Sequence, residues 1–137
     1  GARHYGGGFY DYPQDGPKRL WEGLAQFKQR DATVTLAEAV DRLLYRQAIE
    51  TLRCLHEGVL RSEVEANLGS IFAIGFPAHT GGALQFIRGI GLERFAARAA
   101  ELAAAYGERF AVDPAALDTL RASSPLPGND KAEAQAA

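Results

Sequence analysis

Apolar residues between positions 36 and 55 recur at three- and four-residue steps: Leu36, Val40, Leu43, Leu44, Ala48, Leu52 and Leu55. That spacing predicts an amphipathic helix with one apolar face. Thr35 followed by Glu38 marks its start as a capping box, in which the hydroxyl meets one free amide and the carboxylate reaches back to another. Gly58 is placed to stop it in a left-handed conformation. Ser62 and Glu65 repeat the capping box and open a shorter helix through Val64, Leu68, Ile71 and Phe72, which Gly75 and Pro77 end. The pair Gly81 and Gly82 precedes a short apolar stretch over 83–87, expected to break at Gly89 and Gly91. Residues 92–106 read as an Ala-rich helix with Leu92, Phe95, Ala96, Ala99, Leu102, Ala103 and Tyr106 in register and Gly107 as its C-cap. Asp113 and Pro114 form an N-cap and first-turn pair for a last helix over 115–121.

The two ends lack this periodicity. Residues 1–18 carry three consecutive glycines, Gly6 to Gly8, whose backbone entropy opposes helix. The aromatics Phe9, Tyr10 and Tyr12 are expected to anchor that segment. Residues 19–28 suggest a short helix with Leu20, Trp21, Leu24 and Phe27 on one side. From Ser123 onward nothing large and apolar follows Leu126, so a disordered tail is expected. No strand is predicted. The expected fold is all-α, a compact bundle of about five helices. The expected organisation is a linker over 1–18, a helical domain over 19–122 and a disordered tail over 123–137.

Composition narrows the function classes. The 137 residues suffice for one ordinary domain. No apolar run approaches the roughly 20 residues that span a bilayer, and no apolar signal sequence opens the chain. A net charge of -2 gives no footprint for nucleic acid or an anionic membrane. The single cysteine, Cys54, makes neither an intrachain disulfide nor a cysteine metal site. A reducing cytoplasm fits this usage, and abundant Ala and Arg with scarce Lys suggest a GC-rich bacterial genome. The absence of methionine suggests a piece of a longer protein.

Candidate chemistry is sparse. Gly89 and Gly91 supply two glycines of a dinucleotide-binding pattern, but the third glycine and a preceding strand are missing. His4, His56 and His79 lie far apart, and none pairs with an acid at metal-ligand spacing. His56 reads as a cation facing a helix C-terminus. His79, in the loop over 75–82, is the one histidine that suggests a site. Cys54 reads as a buried thiol rather than a nucleophile. Ser62 and Thr80 read as caps. Arg88, Arg94 and Arg98 suit either a solvated helix face or an anionic group such as a CoA phosphate. Trp21, Tyr5, Tyr10 and Tyr12 suit loop anchoring or a ligand-facing surface.

Three segments are distinctive in combination. They run from Leu52 through His56, Glu57 and Gly58 to Val59; from Ser62 through Glu65 and Asn67 to Gly69; and from Ile74 through Gly75, Phe76, Pro77, His79 and Thr80 to Gly81 and Gly82. Together they resemble the C-terminal helical domain of the 3-hydroxyacyl-CoA dehydrogenase family, in particular the second helical repeat of the multifunctional fatty-acid oxidation enzymes. The opening Gly6–Gly7–Gly8–Phe9–Tyr10–Asp11–Tyr12 resembles the junction between the two repeats. The ending Tyr106–Gly107–Glu108–Arg109–Phe110 is similar as well. The resemblance covers roughly residues 6–121.

It implies that NAD binding and the catalytic His–Glu pair lie upstream, in other parts of a parent enzyme that oxidises 3-hydroxyacyl-CoA. This chain would then hold no catalytic, cofactor or metal residue. Its implied partner is another helical repeat, upstream in the same parent chain or in a second copy. The loop residues Gly75, Phe76, Pro77, His79, Gly81 and Gly82 would serve packing or, in an alternative reading, contact an acyl-CoA. The chain departs from the family in having Asn67 and Arg88 where acids are common, and Ala83 in place of a common proline.

Overall fold

A computed structural model describes residues 8–28 and 33–123. The chain divides into two units between Thr35 and Leu36. In the first unit, strand β1 (Tyr10–Asp11) pairs antiparallel with β2 (Arg19–Leu20), with Tyr10 opposite Leu20 and Asp11 opposite Arg19. The Trp21 amide extends the pairing by donating to the Phe9 carbonyl at 3.1 Å. A 3-10 helix follows over Glu22–Phe27.

This corrects two expectations. A small strand pair exists where none was predicted, and the helix expected over 19–28 begins only after β2. The Trp21 ring explains the boundary. It lies over Gly23 so closely that a Cβ there would meet it at 2.2 Å. The ring therefore packs on bare backbone, a contact that apolar periodicity does not encode. Phe9, Tyr10 and Tyr12 are exposed.

Among the described residues the second unit holds five α-helices: α1 (Leu36–His56), α2 (Glu63–Ile74), α3 (Ala83–Ile90), α4 (Leu92–Tyr106) and α5 (Pro114–Ala122). The all-α bundle is the predicted fold class. Its core is one cluster to which every helix contributes, including Tyr45, Leu52, Leu84, Ile87, Phe95, Leu102 and Leu120. Aromatic rings define its centre. Tyr45 stacks on Phe95 with centroids 4.6 Å apart and meets Phe86 edge-on at 5.8 Å. Burial of such rings supplies much of the driving force for a bundle of this size.

The caps follow the sequence closely. The Ser62 hydroxyl accepts the Glu65 amide at 3.1 Å. The Glu65 carboxylate reaches back one residue further than the motif specifies, accepting the Arg61 amide at 2.8 Å. Asp113 accepts the Ala115 amide at 2.8 Å, with Pro114 at the first helical position. Glu38 accepts the Tyr106 hydroxyl and so ties α1 to α4, a contact the capping-box reading did not include.

Gly89 does not break α3. It lies inside the helix, which ends at Gly91 with φ 92°. The tail expected to be disordered falls, beyond Ser123, outside the described residues, as do Gly6, Gly7, Tyr5 and His4. No helix among the described residues is long and apolar enough to cross a membrane.

Candidate functional site

Gly75 takes the left-handed conformation, φ 71°, that ends α2 and reverses the chain. The Phe76 amide then donates to the Ser70 carbonyl at 3.0 Å. This turn sends the Phe76 ring into the core, 2% exposed and edge-on to Phe86 at 5.6 Å. Pro77 leads into a 3-10 turn, Ala78–Thr80, that carries His79 on the exposed surface. The Thr80 hydroxyl donates to the Pro77 carbonyl at 2.7 Å and accepts the Gly82 amide at 3.2 Å, so it caps the turn as its sequence position suggests.

Gly82 is the tightest point of the loop. Its φ is 112°, and a Cβ there would stand 2.6 Å from both Cα and Cβ of Asn67. The close approach lets α2 cap α3. Asn67 Oδ1 accepts the Leu84 and Gln85 amides at 2.9 and 3.0 Å. Ser70 Oγ accepts the Ala83 amide at 3.0 Å and donates to the Asn67 carbonyl at 2.8 Å. Three N-terminal amides of α3 are thus satisfied by side chains of a different helix. Asn67 Nδ2 is buried without a hydrogen-bond partner. Of the loop residues singled out in the sequence, Phe76 and Gly82 pack inward, Pro77 is half-buried, and Gly75, His79 and Gly81 face solvent.

Arg88 is not on a solvated face. Its Nε donates to buried Glu63 at 3.0 Å, and its Nη2 donates to the other Glu63 oxygen. Nη2 also donates to the Leu120 and Ser123 carbonyls at 2.7 and 2.9 Å. The guanidinium therefore joins α2, α3 and the C-terminal end of α5. Its hydrogen bond to Glu63 raises the arginine pKa further. Neither capping rules nor apolar periodicity signals a pairing across 25 positions. The Arg98 guanidinium is held by Glu101 at 2.7 Å and by Asp41 at 3.1 and 3.3 Å.

His56 Nδ1 lies 2.7 Å from the Thr119 hydroxyl, which itself donates to the Ala115 carbonyl. The His56–Thr119 hydrogen bond ties α1 to α5. Cys54 is half-buried. Among the described residues no group of three metal-ligating side chains converges. No strand leads into Gly89 and Gly91, so these glycines do not fit a dinucleotide loop.

The feature that remains is a surface. The predicted apolar face of α1 divides: Ala48 and Leu52 are buried together with Tyr45 and Ile49, which the sequence reading missed. Leu36, Val40 and Leu43 stay exposed, Leu36 at 82%. At helical spacing they share a stripe with Gln47, Glu50 and Cys54. Those three residues form one wall of a groove of about 610 Å³ between α1 and α2. Ala66, Gly69 and Ala73 of α2 line the groove opposite them, and Phe72, elsewhere on α2, is 83% exposed. Leu68 and Ile74 extend the exposed apolar surface of α2. A helix that is apolar on most of its circumference ordinarily packs on both sides.

The fold and this surface define a small all-α domain with an apolar face that is exposed among the described residues. No protein-family model matches the chain. Curated proteins that it resembles include fatty acid oxidation complex subunits alpha. That of Pseudomonas aeruginosa is 38% identical over 112 residues, covering 74% of this chain and 16% of the relative. That of Pseudomonas putida is 34% identical over 108 residues, covering 72% and 15%. The subunit of Ectopseudomonas oleovorans is also 34% identical over 108 residues. The chain is thus a homologue of part of that subunit and spans about a sixth of its length.

Proposed function

We propose that this chain is the second C-terminal helical repeat of a bacterial, cytoplasmic fatty-acid β-oxidation enzyme, an NAD-dependent 3-hydroxyacyl-CoA dehydrogenase of the multifunctional kind. In this reading the parent oxidises 3-hydroxyacyl-CoA to 3-ketoacyl-CoA, and NAD binds upstream. This repeat packs against another helical repeat rather than performing chemistry. The observation that carries the reading is the exposed apolar face of α1 and α2, built around Leu36, Leu43, Leu68, Phe72 and Ile74. Contiguous apolar surface of this kind marks an interaction site. The motif loop supports the same reading, because Phe76 and Gly82 are committed to the core and Arg88 is committed to Glu63.

Light scattering of the chain across a concentration series tests the interface role. Self-association is the expected result, since the natural partner is a similar repeat. A monomer at every concentration would contradict it and would turn attention to ligand contacts.

A further inference from the structure

The exposed stripe of α1 has a stricter order than a general apolar face. Leu36, Val40, Leu43, Gln47, Glu50 and Cys54 follow one another at alternating steps of four and three residues. That is the alternation of a coiled-coil seam, sustained over about 27 Å of helix. At about 100° per residue the seam runs opposite the core positions Tyr45, Ala48, Ile49 and Leu52. The fold therefore consumes one face of α1 and presents the other. The seam changes character along its length. Leu36, Val40 and Leu43 are apolar and exposed, whereas Gln47, Glu50 and Cys54 are half-buried along the groove. Gly69 and Ala73 keep the facing wall low, and a Cβ on Gly69 would meet nothing within 4 Å.

We infer that the α1 seam and the groove together take one amphipathic helix of a different sequence, with apolar residues opposite Leu36 to Leu43 and uncharged hydrogen-bonding residues opposite Gln47 and Glu50. The inference rests on the packing role proposed above and assigns the α1 part of that surface. A second α1 does not fit the seam. Antiparallel pairing of two α1 helices about residue 45 sets Val40 against Glu50 and Leu43 against Gln47. Parallel pairing sets Glu50 against Glu50. Arg46 holds the Glu50 carboxylate at 2.8 Å, and Arg53 holds it from the other side, so either arrangement strips water from a fixed ion pair and supplies no new partner. A foreign helix with side-chain amides at those positions meets Gln47 and Glu50 with hydrogen bonds instead. Gln47 donates to the Leu43 carbonyl at 3.1 Å through Nε2 and keeps its Oε1 as an acceptor. Polar residues inside an otherwise apolar seam fix its register. Glu57, 3.7 Å from Arg53, lies past the last seam position.

Two synthetic helices of three heptads, ~21 residues, test this by fluorescence anisotropy with the full chain. One carries leucine in its first seam half and glutamine in its second; the other has the halves exchanged. Together they cover both orientations of a partner along α1. One of the two is expected to bind with a Kd of roughly micromolar and the other at least about tenfold more weakly. Leu43→Glu and Gly69→Leu are each expected to weaken the tighter complex at least about tenfold. Phe72→Glu, outside the groove, is expected to leave it unchanged. Thermal melts by circular dichroism establish that each variant is folded. Bound peptide is also expected to slow alkylation of Cys54, the single cysteine, by N-ethylmaleimide several-fold. Failure of both peptides to bind, equal binding of both, or binding that survives Leu43→Glu and Gly69→Leu would overturn the inference. Self-association is read separately by light scattering, so a chain that self-associates and binds neither peptide loses this inference alone.

Discussion

Gly82→Ala is expected to destabilise the second unit by about 3–5 kcal/mol. Two independent costs add. The backbone at residue 82 sits at φ 112°, where a side chain costs roughly 1–3 kcal/mol. The new methyl would also lie 2.6 Å from the Asn67 backbone, so α2 and the start of α3 must separate. Separation lengthens the hydrogen bonds to the amides of Ala83, Leu84 and Gln85. Losing a helix cap costs about 0.5–2 kcal/mol, and buried amides left without partners cost about 1–3 kcal/mol. Against a total stability of about 5–15 kcal/mol this is a large fraction. Urea unfolding followed by circular dichroism reads it directly as a fall in the midpoint at constant slope. A loss below about 1 kcal/mol would refute the reasoning, because the loop would then accommodate a Cβ without disturbing the cap. Gly89→Ala is the control and is expected to stabilise by roughly 0.5–1 kcal/mol, its site being open and helical.

Three further outcomes are expected. Arg88→Met leaves the buried Glu63 carboxylate without its cation and is expected to cost about 3–5 kcal/mol, measured by urea unfolding; adding Glu63→Leu should recover a substantial part of the loss. Asn67→Asp removes the buried amide donor that has no partner and places an anion at the N-terminus of α3; a gain of about 1 kcal/mol at neutral pH is expected in the same assay, and a loss would show that burying the charge outweighs both effects. The Tyr45 phenol is pushed above its ordinary value first by burial and then by Asp41, so its contribution is complete below the unfolded pKa of about 10 and is lost as pH rises through the folded value. Stability should therefore fall on the alkaline side, and Tyr45→Phe should flatten that fall; an unchanged alkaline profile would count against the assignment.

Much of the bundle was legible because its helices carry local signals. Leu92–Tyr106 has both its periodicity and its C-cap glycine written in the sequence, and Pro114 with Asp113 fixes the start of α5. Local rules failed where the deciding contact is distant or aromatic. Gly89 reads as a breaker by itself, but α3 continues through it to Ile90 and is capped by Gly91. Arg88 and Asn67 look like departures of polar character on helices. Their roles appear only when α2, α3 and α5 are brought together: Arg88 binds Glu63 and the α5 carbonyls, and Asn67 caps α3. The apolar face of α1 was recognised as a whole, yet periodicity cannot say which half the core takes. The core took the side of Tyr45 and Ile49 and left Leu36 and Leu43 outside. In the first unit, the Trp21 ring over Gly23 decides the local structure, and no periodic pattern announces it.

The central claim is that this domain packs rather than binds or transforms a substrate. Calorimetric titration of the chain with an acyl-CoA thioester tests it most directly. No saturable heat is predicted up to millimolar ligand, with or without the His79→Ala substitution in the exposed loop turn. Saturable binding to the wild-type chain that His79→Ala abolishes would contradict the account and assign the loop a ligand.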